Sequence, residues 1–382
     1  MTDFRTDWNL TSETLEALLD LMPNVTSLSL PSCPANSLVP YLLRTNRQFT
    51  GLTICNWELT DGEVIELIRR CADSLERLEL RGFWSLESEG LSTICRCSKL
   101  RHLHVGSTAE FNDNHMKELV SNSPDLMTLE LLSRFFRTDD GLAHIHGFRR
   151  LQRLKLTSFR HMSLSAKCSF TRIISLQELN FDEASLNNDL LRSMTNLKDL
   201  KVLGGSADVD SQGFDIICTN FERLESLDVR CIRLSDVDGK KLRRLKNLKR
   251  LVLTECLGFT DVTFIEGIRH LSLEELSIRR CDRLTGLGIS CIDVTRGRLR
   301  ELSLDNCDGF GNTDLEDILR RGIHLRSVHV SQCRHLSDTW VEVLQYCCSR
   351  LERLELSFYT VKASSLQALS TRRPTVVLRD VP

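Results

Sequence analysis

No stretch of about 18 apolar residues occurs in this sequence of 382 residues, so no segment reads as a membrane-spanning helix. Neither sign of charge is in excess, because 50 lysines and arginines face 52 acids for a net charge of −2. That balance offers no general attraction to DNA, RNA or anionic lipid, and neither nucleic acid nor membrane is expected as a partner. The opening residues MTDFRTDWNL lack the basic-then-apolar profile of a secretory signal, so the acceptor triplets Asn9-Leu10-Thr11 and Asn24-Val25-Thr26 read as chance matches. Phosphate-cradling G-x-x-x-x-G-K-[ST] runs and dinucleotide fingerprints are also missing. His144-Ile145-His146 has no third ligand at useful spacing, and Cys95-Arg96-Cys97 and Cys347-Cys348 lack a second Cys or His pair. Neither cofactor nor metal nor catalytic constellation is therefore expected, and the chain reads as a non-enzyme. Cysteine itself is plentiful at 15, but an odd count in a long chain without a signal favours free thiols in a reducing compartment. The expected location is the cytoplasm, with the nucleus as the alternative.

What the chain does contain is one pattern, leucine, two residues, leucine, one residue, leucine, from end to end. Its middle position falls at Leu28, Leu52, Leu78, Leu103, Leu129, Leu154, Leu179, Leu200, Leu227, Leu251, Leu276, Leu302, Val328 and Leu354. From 28 to 354 is 326 residues in 13 intervals, a mean period of about 25, within the range of leucine-rich repeats. Each unit combines two hydrophobic periods. In Leu299-Arg-Glu-Leu302-Ser-Leu304 the alternation is that of a short strand with one buried face, and the spacing through Leu315, Ile318 and Leu319 is that of a helix led in by an Asp or Thr cap. Stacked strand–turn–helix units predict an α/β leucine-rich-repeat solenoid, a horseshoe with a parallel concave sheet and convex helices. A single domain over 1–382 is expected. Residues 1–24 form its half-repeat or N-terminal cap, and 25–382 supply about 14 repeats and a short closing strand at Arg373-Pro374-Thr-Val-Val-Leu378.

Cysteines fall on the repeat. Cys33, Cys256, Cys281, Cys307 and Cys333 follow the last strand leucine by three residues, and Cys71, Cys218 and Cys347 recur near helix ends, placements that suit small buried side chains. These positions, with the phrases SLSLPSC, LVLTEC, LSIRRC, LSLDNC and VHVSQC followed by FTD, LTG, FGNTD or LSD, make the chain resemble the cysteine-containing repeats of F-box/LRR proteins along nearly its whole length. The resemblance implies the substrate-recognition part of an SCF-type ubiquitin ligase receptor, acting in ubiquitin-dependent degradation. An F-box, which would grip Skp1, is not recognisable. Skp1 and cullin components are thus expected partners only if that module is missing from this sequence.

Residues flanking each middle leucine must point away from the core, and they define the expected ligand wall. The row before it includes Arg77, His102, Arg153 and Asp199, and the row after it includes Glu79, His104, Lys155 and Lys201. Mixed charge on this wall suits a protein ligand rather than nucleic acid. Trp57, Phe83, Phe111, Phe159, Phe259, Phe310 and Tyr359 take core positions of the repeat, which leaves Trp84, Phe135 and Phe358 for the rim, with Arg81 nearby. The partner-binding set is therefore Arg77, Glu79, Arg81, Trp84, His102, His104, Phe135, Arg153, Lys155 and Phe358. Two other readings stand beside it: a repeat scaffold or regulator without a ubiquitin link, and, more remotely, an enzyme or small-molecule receptor using His102, His104 and Arg81.

Overall fold

A computed structural model describes residues 2–5, 12–30, 41–45, 47–55, 61–81, 86–106, 111–132, 140–156, 163, 165, 168–181, 186–230, 232–292, 298–344, 346–356, 361–373 and 376–380. The chain divides into two compact units, Met1–Glu183 and Ala184–Pro382. The first holds β1 (Thr2–Arg5), β2 (Val25–Leu30), β3 (Gly51–Cys55), β4 (Arg77–Arg81), β5 (His102–Gly106), β6 (Thr128–Leu132), β7 (Arg153–Leu156) and β8 (Glu178–Phe181). All neighbours are parallel and follow chain order, with Leu28, Leu52, Leu78, Leu103, Leu129, Leu154 and Leu179 side by side. These leucines are at most 1 % exposed, whereas the residues on either side of them are half-buried or exposed in most strands. The period-two alternation thus separates a buried face from an open one.

The second unit repeats the plan with β9 (Val202–Asp208), β10 (Ser226–Arg230), β11 (Arg250–Thr254), β12 (Glu275–Arg279), β13 (Glu301–Asp305), β14 (Ser327–Ser331), β15 (Arg353–Leu356) and β16 (Val377–Asp380). The closing strand expected near Leu378 is β16, where Leu378 pairs with Leu354. In both units helices or short 3-10 turns join the strands. Ser12–Leu21, Asp61–Cys71, Ser88–Cys95 and Asp113–Asn122 are among those of the first unit, and Ser211–Asn220, Asp261–Glu266, Asn312–Arg321 and Ala363–Arg372 among those of the second.

Three expectations change. The strand of the eighth repeat centres on Leu203, which pairs with Leu227, and not on Leu200. Leu200 is the first leucine of its motif, equivalent to Leu224, as the paired donors show: Glu225 and Ser226 both give their N–H to Lys201 O, just as Lys249 and Arg250 do to Glu225 O. Asp199 and Lys201 therefore leave the open face, and the apparent 21- and 27-residue intervals become equal ones, with an irregularity inside β9 between its pairings at Leu203 and Ala207. Upstream, β1 pairs parallel with β2, Phe4 opposite Leu28, so a strand precedes the expected helical half-repeat. Finally, Asn312–Arg321 is capped at Gly311, whose N–H donates to Asp314 Oδ2 at 2.9 Å, in place of an Asp or Thr cap.

The cysteine positions are structural. Cys256, Cys281, Cys307 and Cys333 are at most 2 % exposed. Each follows a residue with positive φ, Glu255, Arg280, Asn306 or Gln332, at 50–52°, a left-handed step that turns the chain out of the strand. The thiols of Cys281, Cys307 and Cys333 donate to the carbonyl two residues earlier at 3.2–3.3 Å. Near the last helices the buried thiol is Cys348, bonded to Leu319 O at 3.2 Å, while Cys347, the expected one, is half-buried.

Candidate functional site

The open face of each sheet is a set of ladders, because parallel register places equivalent residues of successive strands side by side. In the first unit one ladder runs Gly51, Arg77, His102, Thr128, Arg153, Glu178 and the other Thr53, Glu79, His104, Glu130, Lys155, Asn180. Seven of the expected partner-binding residues, Arg77, Glu79, Arg81, His102, His104, Arg153 and Lys155, lie on β4, β5 and β7 of this face. Trp84, Phe135 and Phe358 lie outside the described residues, as do Trp57, Phe83, Phe159, Tyr359 and Cys33. Phe111, Phe259 and Phe310 are at most 1 % exposed, in line with their core assignment.

Neighbouring strands hold these side chains in place. His104 is only 8 % exposed and its Nδ1–H donates to Glu130 Oε2 at 2.9 Å. That hydrogen bond, with the Lys155 charge beside it, holds the Glu130 carboxyl below its ordinary range against the opposing effect of burial. His102 Nδ1 lies 3.1 Å from Thr128 Oγ1. Burial, then the positive charges of Arg77 and Arg153, push the His102 imidazole below its ordinary value and keep it neutral. Arg153 Nε meets Glu178 Oε1 at 2.9 Å and Arg81 meets Glu79 Oε2 at 3.4 Å. Lys155 has no ion-pair partner among the described residues. The two histidines that share a face thus have separate roles, one beside an acid and one beside a hydroxyl. Neither pair brings a serine or cysteine nucleophile into the geometry of a hydrolase.

The second unit has the open face expected from the same rule, although the partner-binding set took no residue from its strands. Its ladders run Ser226, Arg250, Glu275, Glu301, Ser327, Arg353 and Asp228, Val252, Ser277, Ser303, His329, Glu355. Small Ser277 and Ser303 at the centre, flanked by longer side chains, leave a recess of about 300 Å³ over β11–β15. Arg250 Nε pairs with Glu275 Oε2 at 3.0 Å, and Arg353 reaches across Ser327 to Glu301 Oε1 at 2.6 Å. His329 Nδ1 stands 3.2 Å from Glu355 Oε2, its Nε2 stands 3.2 Å from Ser331 Oγ, and Ser331 Oγ–H donates to Asp305 Oδ1 at 2.5 Å. Ser331 is 4 % exposed and its proton is committed to Asp305, so it is not placed as a nucleophile. Charge alternation and these paired contacts hold a fixed, polar surface, which can read another molecule by hydrogen bonds and ion pairs without reorganising. No group of three or more His, Cys, Asp or Glu suited to a metal ion occurs among the described residues, and no helix there is long and apolar enough to cross a membrane.

Comparison with known proteins adds the following. No protein-family model matches the chain. DNA repair protein RAD7 of Saccharomyces cerevisiae is 23% identical over 327 residues, 80% of this chain and 54% of that protein. Tubulin-specific chaperone E of Xenopus laevis is 24% identical over 254 residues, 63% of this chain and 46% of that protein. A protein of Trypanosoma equiperdum named "Putative adenylate cyclase regulatory protein" is 31% identical over 150 residues, 39% of this chain and 22% of that protein. The chain thus spans from about a fifth to about half of the curated relatives it matches. Among solved structures, Rad7 in its yeast complex with Elc1 aligns over 97% of this chain and 87% of its own, with a TM-score of 0.62 at 19% identity. The fold is the leucine-rich-repeat solenoid, of α/β class, with the period, the parallel register and the likeness to Rad7 in agreement.

Proposed function

We propose that this chain is a protein-interaction module that selects a protein partner on the open faces of its sheets and serves as the substrate-recognition part of a ubiquitin ligase. The observation that carries the binding reading is the ladder of fixed polar side chains, in which His104 and Glu130, Arg153 and Glu178, and Arg250 and Glu275 are each set by a neighbouring strand at 2.9–3.0 Å. Preorganised side chains lose little entropy on binding, and a mixed-sign surface favours a protein over a polyanion. Support for the ubiquitin reading comes from the F-box/LRR-like cysteine repeats and from the likeness to Rad7, which has been solved with a protein partner, Elc1. The mechanism is positioning: this chain holds the partner while other subunits, a Skp1-like adaptor and a cullin, carry the chemistry. Buried free thiols along the repeat suit a reducing compartment such as the cytoplasm.

The test is affinity purification of the native protein beside a variant with Arg77→Ala, Arg153→Ala and Lys155→Ala, quantified by mass spectrometry. A protein enriched with the native chain and lost with the variant, together with adaptor or cullin peptides, is expected. Identical enrichment by both proteins would remove the face from the account. A face-dependent partner without any adaptor or cullin would leave a repeat scaffold with no ubiquitin link.

A further inference from the structure

The recess of the second unit contains one arginine that no carboxylate among its described residues holds. Glu275 has Arg250 at 3.0 Å, Glu301 has Arg353 at 2.6 Å, and Glu355 has His329 at 3.2 Å. Arg279, also in the lining, is exposed and has no carboxylate at ion-pair distance among the described residues. Its register partner Asp305 instead accepts from Ser331 Oγ at 2.5 Å. Two residues earlier on the same face of β12 is Ser277, whose buried Oγ has no hydrogen-bond partner among the described residues. A free guanidinium and an unused hydroxyl, i and i+2 on one strand, stand about 6–7 Å apart at Cα, within reach of one small acceptor group.

We propose that this recess receives the carboxylate of an aspartate or glutamate side chain of the bound protein. Arg279 is its counterion, and the Ser277 side chain, whose Oγ is shielded in the free protein, turns toward the recess to donate to the second oxygen. This rests on the protein-binding reading and specifies its chemistry. A lysine or arginine of the partner does not fit, since Glu275 and Glu301 already hold Arg250 and Arg353, Glu355 is engaged by His329 Nδ1, and the newcomer would meet Arg279. A dianionic phosphate does not fit either, because it would bring two charges to one free guanidinium with Glu275 and Glu301 close by. A single carboxylate matches the one guanidinium without an ion-pair partner and the buried hydroxyl beside it.

Fluorescence anisotropy of the full chain with four labelled nonapeptide pools tests this. Each pool carries one fixed central residue, Glu, Gln, Lys or phosphoserine, among random neighbours. The Glu pool is expected to bind about tenfold more tightly than the Gln and Lys pools, the loss typical of one charge-assisted contact, and more tightly than the phosphoserine pool. Arg279→Gln is expected to remove that preference, Ser277→Ala to reduce it, and Lys246→Gln, at an exposed site away from the recess, to leave it intact. Equal binding of all pools, including none detectable, a stronger Lys or phosphoserine pool, or a Glu preference that survives Arg279→Gln would each overturn the proposal. Such a result leaves the broader reading standing if partner capture still depends on the face, whereas loss of that dependence overturns the broader reading by its own test.

Discussion

At the scale of single residues, the turn cysteines and the face histidines show how position in the repeat decides chemistry. Burial pushes the Cys307 thiol up to about 12 and the Cys333 thiol up to about 11. In Cys281 the hydrogen bond with Cys256 raises the thiol pKa first, and burial adds to it. Since the thiolate is the reactive form, these side chains are inert ladder rungs. Brief iodoacetamide treatment near neutral pH, followed by peptide mass spectrometry, is expected to label Cys55, Cys168, Cys291 and Cys347, which are half-buried, well before Cys256, Cys281, Cys307 or Cys333. Their placement was legible from spacing because a small side chain is needed once per turn, though the choice between Cys347 and Cys348 was not, since adjacent residues share a type and only packing separates them. His102 gives a second outcome. Its folded pKa is depressed from the ordinary 6.5 by burial and then by Arg77 and Arg153, so its stabilising contribution is complete above 6.5 and is lost as pH falls below that value toward the folded pKa. The unfolding free energy of the native protein is therefore expected to fall between about pH 7.5 and 5.5 more steeply than that of His102→Asn, by chemical denaturation at each pH. Equal slopes would show that His102 is not held neutral.

At the scale of elements, the links between successive helices are carried by acids that periodicity does not reveal. Asp236 accepts from Thr260 N and Oγ1 at 2.8 and 2.7 Å and from Thr263 N and Oγ1 at 3.2 and 2.6 Å. Asp261 does the same for Thr285 N and Oγ1 at 2.9 and 2.7 Å. The carboxylate at one helix start thus satisfies the open N–H groups of the next, which ties neighbouring coils together where helix ends would otherwise face water. Asp236→Ala is expected to cost about 2–3 kcal/mol, since four bonds to a charged acceptor are lost, and Asp261→Ala less. Equilibrium unfolding gives the totals, and amide exchange locates the loss at 260–263. Thr260 and Thr285 at their helix starts could be read as caps of their own helices, but the acceptor of their N–H groups belongs to the preceding repeat, about 24 residues away, and contact at that distance follows only from stacking. The register of β9 shows the complementary failure. Leu197, Leu200 and Leu203 are all leucines at a spacing of three and all at most 1 % exposed, so hydrophobicity alone cannot say which one occupies the strand. The backbone ladder through Lys201 O and Glu225 N decides it.

At the scale of the whole molecule, nearly every repeat spends its leucines on the core and its polar residues on a face, and this division is what a period of about 25 encodes. Fold class and the location of the open faces, apart from β9, were therefore legible. The recess on β11–β15 was not, because its depth comes from the volumes of Ser277 and Ser303 beside Arg250, His329 and Arg353, and its unused donors emerge only when every ion pair has been placed. Charge reversal on the two units separates their contributions: Lys155→Glu in the first and Arg279→Glu in the second should each weaken the same partner while leaving unfolding within about 0.5 kcal/mol of native, as expected for exposed or half-buried side chains. The most direct measurement is site-specific photo-crosslinking, with a benzophenone amino acid placed in turn at Lys155, Arg279 and, as a helix-side control, Glu316, followed by identification of the crosslinked protein from cells. The same protein joined at Lys155 and Arg279 and absent at Glu316 is the predicted result. Crosslinks confined to Glu316, with neither sheet position joined, would contradict the central claim that the open sheet faces bind the partner.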